Sequence, residues 1–199
     1  SLSITGENAV GNATLDVGAN TLNITGNATL ADGGAFGGIL EANAGTINIG
    51  GNLSISANST VNSVPNVFTL DINGNISSMA GALDLSGCTV TFGGTTWDVT
   101  AATTFDAATD LTIDGSTGDL TLPDVSAGLL NLTINRSSSI ITQEAASDIT
   151  LTGDLTITAG TLTNSNGNNL TVNGDTDIDG TLFLGDGSVI AIGNASTDA

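Results

Sequence analysis

The chain has no lysine, no histidine and no tyrosine, and its one basic side chain is Arg136. Without an imidazole or an amine there is no ordinary general base near neutral pH and no amine nucleophile. Carboxylate pairs can hydrolyse glycosides, but a sugar site also wants aromatic platforms, and the aromatics here are Trp97 and five phenylalanines. The expectation is that the chain is not an enzyme and needs no cofactor. Twenty acidic residues against one base leave a formal charge of −19. Such a chain repels phosphate backbones and anionic lipid heads, which argues against nucleic-acid binding. Cys88 is alone, so no intrachain disulfide closes, and stability has to come from packing and hydrogen bonds. No apolar run approaches the ~20 residues of a spanning helix, so membrane insertion is not expected. No basic, apolar leader opens the chain at Ser1. Helical periodicity is nearly missing; residues 140–148 are the best helical candidate, and they are few.

What is present is Gly, Asn, Asp, Thr and Ser around regularly alternating Leu, Ile and Val, with 39% of residues hydrophobic. That apolar content separates the chain from disordered low-complexity sequences. One pattern recurs: apolar, small polar, apolar, then Asn, Asp, Thr or Ser with Gly. It reads LSITG at 2–6, LNITG at 22–26, INIGG at 47–51, LDING at 70–74, LTIDG at 111–115 and LTVNG at 170–174. Period-two alternation makes a strand with one buried side. The Asn-Gly, Asp-Gly and Gly-Gly pairs are expected to supply the positive φ of sharp turns.

Spacing selects the architecture. Taking Leu2, Leu22, Ile47, Leu70, Val90, Leu111, Leu132, Leu155 and Thr176 as anchors, the steps are 20, 25, 23, 20, 21, 21, 23 and 21 residues. Further alternating pairs fall between anchors, which makes three strands per coil. A sustained period in this range marks a repeat array. The fold class expected is all-β, a parallel β-helix (β-solenoid) of about nine coils of 20–25 residues. Residues 1–199 then form a single solenoid domain, or a segment of a longer chain. The competing architecture is an antiparallel sandwich, since NG and DG pairs also mark hairpins. The Gly- and Ala-rich residues 31–46 and the Pro65-containing residues 58–68 interrupt the rhythm and are expected as a longer coil or loops. Neither 1–10 nor 188–199 resembles a cap, so the open ends are expected to continue into more chain or to stack into a filament.

Three local signals carry candidate chemistry. Asp175, Asp177 and Asp179, with Gly180 and Asp186, match the spacing of a Ca²⁺ loop. They lack its terminal Glu and flanking helices, and on a strand they form one outer face. Asn-x-Ser/Thr occurs at Asn12, Asn23, Asn27, Asn52, Asn58, Asn75, Asn131, Asn135, Asn169 and Asn194. These are glycosylation acceptors in a suitable host, or simply corner asparagines followed by threonine strands. Thr-x-Thr pairs at 89/91, 150/152, 156/158 and 161/163 do not recur at the coil period, which points to ordinary strand threonine rather than an ice-ordering array. Phe and Trp read as core or cap, and Cys88 as a buried small apolar residue.

The unit GDLTITAGTLTNSNGNNLTVNG at 153–174 resembles the β-strand repeats of large microbial surface proteins, among them autotransporter passengers and filamentous-haemagglutinin-type adhesins. The resemblance covers most of the chain. It implies a right-handed β-helix, export to an extracellular or cell-surface location, and work as a stalk, adhesin or fibre. No catalytic residue carries over, and the missing Lys, Tyr and His depart from many members. The functional expectation is a structural surface rod that self-associates or continues a longer surface protein. The alternative is an adhesin module binding Ca²⁺ or a host or matrix glycan.

Overall fold

The computed structural model describes residues 1–7, 11–62, 67–98, 103–115, 118–143, 147–164 and 167–193. It is an all-β solenoid in which the chain winds through three faces per turn and every strand ladder among the described residues is parallel. The antiparallel sandwich is thereby set aside; among the described residues the one antiparallel contact is an isolated bridge between Glu7 and Gly11.

The first face stacks β1 (Leu2–Thr5), β4 (Ala28–Ala31), β7 (Leu53–Ile55) and β10 (Ile76–Met79). The second stacks β2 (Ala13–Asp16), β5 (Gly38–Glu41), β8 (Thr60–Asn62), β11 (Ala82–Asp84) and β13 (Thr103–Thr104). The third is one continuous ladder of β3 (Thr21–Ile24), β6 (Thr46–Ile49), β9 (Thr69–Ile72), β12 (Thr89–Phe92), β14 (Asp110–Ile113), β16 (Asn131–Gln143), β18 (Leu155–Asn164) and β20 (Thr176–Ile178). Later turns are completed by β15 (Leu120–Leu122), the distal halves of β16 and β18, and β21 (Thr181–Leu184), and by β17 (Ile149–Leu151), β19 (Leu170–Val172) and β22 (Ile190–Ile192).

The third face gives eight turns, and β1 and β2 add an incomplete leading one. Its register joins Leu22 to Ile47, Leu70, Val90, Leu111, Leu132, Leu155 and Thr176 in succession. These are the sequence anchors without exception, apart from Leu2. Leu2 pairs with Ala28 on the first face, so the 20-residue step from Leu2 to Leu22 is not a coil repeat. The strand motif is common to all faces and does not say which face a copy occupies.

The inward side chains make a single apolar column. Leu30, Ile47, Ile49, Leu53, Ile55, Leu70 and Ile72 have no exposed surface, and the column continues through Leu132, Ile134, Leu155 and Ile157. Phe92, Trp97 and Phe105 fill the middle of it, with ring centroids 4.8 and 6.1 Å apart in sequence order. Cys88 is buried, as expected of a small apolar residue. Residues 31–46 are not a loop: β5 lies inside them, and the coil they belong to is the longest, at the 25-residue register step from Leu22 to Ile47. Residues 140–143 of the helical candidate are strand, while 144–146 lie outside the described residues, as do 63–66 with Pro65.

Candidate functional site

Corners are where this fold spends its polar residues. At the turn from the third face to the first, Gly26-Asn27, Gly51-Asn52 and Gly74-Asn75 stack coil over coil. The Asn52 N–H donates to Asn27 Oδ1 at 2.9 Å, the Asn75 N–H to Asn52 Oδ1 at 2.9 Å, and the Thr95 N–H to Asn75 Oδ1 at 2.8 Å. At the turn entering the third face the Asn131 amide donates to Asp110 at 2.6 Å, the Asp154 N–H to Asn131 Oδ1 at 2.7 Å, and the Asp175 N–H to Asp154 Oδ1 at 2.8 Å. Asn27, Asn52, Asn75, Asn131 and Asp154 each satisfy a backbone donor that the bend would leave orphaned, and Asp110 holds the Asn131 amide. Among the described residues six of the Asn-x-Ser/Thr asparagines (Asn12, Asn27, Asn52, Asn75, Asn131, Asn169) accept a backbone N–H from the next winding in this way. Asn194 lies outside the described residues.

The four acids of the Ca²⁺-like spacing are distributed, not gathered. Asp175 is the corner residue before β20, Asp177 points outward from β20, Asp179 follows that strand, and Asp186 sits in the turn beyond β21. The segment from 175 to 186 runs strand, corner, strand, where an ion-holding loop curls its oxygens inward. Among the described residues no group of three or more acidic, thiol or imidazole side chains is assembled around one point. The threonines behave as expected. Thr91, Thr112, Thr133 and Thr156 form one outward rank, but Thr89 is followed in its own rank by Asp110, so paired ranks do not form.

Two features were not anticipated. The first is Arg136, which has no exposed surface. Its Nε donates to Asp114 O at 3.1 Å, Nη1 to Gly118 O at 3.4 Å, and Nη2 to Gly94 O at 2.6 Å and Asp114 O at 2.9 Å. Burial pushes the guanidinium pKa down and the Asp114 carboxylate opposes that. The signal was in the parity: Leu132 and Ile134 point inward, so residue 136 does too. The register between β16 and β18 shifts around Asn135–Ile140, which makes room for the long side chain.

The second is a seam. Residues 93–108 and 115–129 are successive windings, yet among the described residues no strand ladder joins them: β10 meets Trp97 only through an isolated bridge, β13 pairs with β11 alone, and β15 pairs with β16. A groove of about 350 Å³ opens there, lined by Thr95, Thr96, Trp97, Asp119, Leu120, Thr121 and Thr142. Trp97 is only 3% exposed and its ring packs on Phe92 and Phe105, so the groove has no aromatic platform for a sugar. Arg136 reaches across this seam, from beyond it to Asp114 and Gly118 on one side and Gly94 on the other.

The carboxylates set a pH profile. Burial acts to raise Asp106, but hydrogen bonds from the Ala108 and Gly87 N–H groups and from Thr109 outweigh it and hold the carboxyl below its ordinary 3.8. Asp124 is lowered by the Ser126 hydroxyl and N–H, with burial opposing and Ser147 adding. Asp71 is raised, first by burial and then by the Asp114 charge. A depressed acid contributes stability above its unfolded value and loses it as pH falls through the folded one; a raised acid gains when protonated. Melting temperature should therefore rise as pH is lowered into the range above 3.8 where Asp71, its pKa raised in the fold, takes up its proton. It should fall once pH passes below 3.8, where Asp106 and Asp124 protonate. Thermal melts by circular dichroism across pH read this directly, and a steady decline from pH 7 downward would contradict it.

Comparison with protein-family models, with curated proteins and with solved structures gives no match to this chain.

Proposed function

We propose that the chain is a structural element of an exported, cell-surface protein: a stiff β-solenoid stalk or fibre segment, without catalytic work of its own. The observation that carries this reading is the unbroken eight-strand ladder of the third face, in which each turn's backbone is hydrogen-bonded to the next over the whole described chain. Polar side chains are committed to holding that stack at its corners. The −19 charge with a single, buried base keeps the lateral faces mutually repulsive and soluble, as suits an extended surface element. The resemblance to autotransporter-passenger and filamentous-haemagglutinin-type repeats supports the same reading.

Antibody raised against the purified chain tests it on the organism that makes the protein. Labelling of intact cells is expected; labelling that needs permeabilised cells overturns the surface assignment. The alternative, a Ca²⁺-binding adhesin module, is separated by melting in NaCl and in CaCl₂ at equal ionic strength. Both salts are expected to raise the melting temperature alike by screening the acidic surface. A jump specific to Ca²⁺ would move the assignment to an ion-binding module.

A further inference from the structure

Asn-Gly occurs at 73–74, 166–167 and 173–174, and Asn166 lies outside the described residues. An asparagine before glycine can react with its own backbone, because glycine has no side chain to shield its N–H. The two described pairs sit in like settings: Ile-Asn-Gly and Val-Asn-Gly, each with its asparagine exposed just past the buried end of β9 or β19. The fold treats them differently. Gly174 N–H donates to Gly153 O at 2.9 Å in the winding before, as Gly51 N–H does to Gly26 O at 3.1 Å. Gly74 occupies the corner position of Gly51 one winding on. Yet among the described residues neither its N–H nor the side-chain amide of Asn73 makes a hydrogen bond. The side chain of Asn73 also has room. By register Gly50 and Gly93 lie beside it in the windings before and after, and neither carries a side chain. A groove of about 190 Å³, bordered by Asn23, Asn48 and Gly50, opens there. Beside Asn173 in the winding before stands Thr152.

We propose that Asn73 is a site of spontaneous deamidation, left open by its corner while Asn173 is protected, with water as the co-reactant. Gly74 N attacks Asn73 Cγ. The bond from Cγ to Nδ2 breaks, and the proton of Gly74 N departs with that nitrogen as ammonia, leaving a cyclic imide. Water then opens the imide at either carbonyl. Opening at Cγ gives aspartate at position 73. Opening at the backbone carbonyl gives isoaspartate, in which the main chain runs through the former side chain and is one methylene longer. Either product places a new carboxylate on the outward side of the chain that bears Asp71, and across the bare Gly93 from Asp114, whose Oδ1 turns toward Gly93. The isoaspartate also lengthens the link between β9 and β10, next to the Asn52–Asn75 rung of the corner ladder. The site thus carries an irreversible mark of the protein's age. This inference stands apart from the surface-rod reading, and neither depends on the other.

The test is peptide mapping by mass spectrometry of the full wild-type chain, incubated folded at neutral pH and, in parallel, unfolded in urea. Fragmentation by electron transfer distinguishes aspartate from isoaspartate. In urea Asn73 and Asn173 should convert at like rates, since their neighbours in sequence are alike. In the folded chain Asn73 should convert about tenfold faster than Asn173, the factor that one backbone hydrogen bond is worth. Equal rates in the folded chain, faster conversion at Asn173, or no conversion at Asn73 overturns the proposal. So does the same tenfold ratio in urea, which would place the cause in local sequence instead of the fold.

Discussion

Arg136→Met should lower unfolding free energy by about 3–5 kcal/mol, since several buried carbonyls lose a donor at about 1–3 kcal/mol apiece. Methionine matches the stem but not the guanidinium. Phe92 O keeps the Asp114 N–H, but the carbonyls of Gly94, Asp114 and Gly118 would lose the donors that Arg136 supplies, and each unsatisfied buried acceptor is expensive. Arg136→Lys keeps the charge but brings three donors on a tetrahedral head where a planar fork now serves four carbonyls, so an intermediate loss is expected. Urea unfolding at unchanged m-value reads the difference. Because among the described residues two of the three faces lack a ladder across the seam, hydrogen exchange in Arg136→Met should accelerate first at 95–98 and 119–122, ahead of the third-face strands. A Met variant within about 1 kcal/mol of wild type would mean that water replaces the guanidinium without loss, and that the seam is held by the third-face ladder alone.

The legible part of this fold was the part that repeats. Period-two alternation and a near-constant step placed every third-face register pair from Leu22 to Thr176, because a solenoid sets each winding against the equivalent residues of the last. Leu2 was assigned to the wrong face because LSIT and LNIT fit a first-face and a third-face strand equally well. Residues 31–46 read as a longer coil or a loop for want of large side chains, and they are the longer coil. There β5 brings Ile39 and Leu40 beside Gly38, whose missing Cβ lets it lie against the Ile4 backbone. The seam could not be read at all: it is an absence of pairing between windings that are each regular locally. Arg136 was legible by parity but was counted only as charge. The candidate acids were legible as a spacing and, alternatively, as one outer face of a strand; the chain runs strand, corner, strand through Asp175–Asp186.

The corner glycines hold the other large effect: Gly115 and Gly187 carry the positive φ that their Asp-Gly pairs suggest, but Gly74 serves a different end. Asn73-Gly74 is a turn pair that ordinarily signals positive φ, but Gly74 is not among the residues with positive φ, whereas Gly167 is, at 81°. What Gly74 supplies is closeness. A Cβ there would run into the carbonyl of Gly51 and the Asn52 side chain one winding away, and at Gly94 it would run into the carbonyl of Gly74. These neighbours are backbone and a committed ladder residue, so neither can swing aside. Gly74→Ala should therefore force two windings apart at the corner and cost about 3 kcal/mol, the upper part of the overpacking range. Gly167→Ala meets nothing within 4 Å, and should cost only the ~1 kcal/mol of an alanine held at left-handed φ. Chemical denaturation of the pair ranks them. If Gly167→Ala proved the more damaging, turn conformation rather than the approach of one winding to the next would be what the corners require of glycine, and the Asn27–Asn52–Asn75 ladder would be an accessory to the stack instead of its spacer.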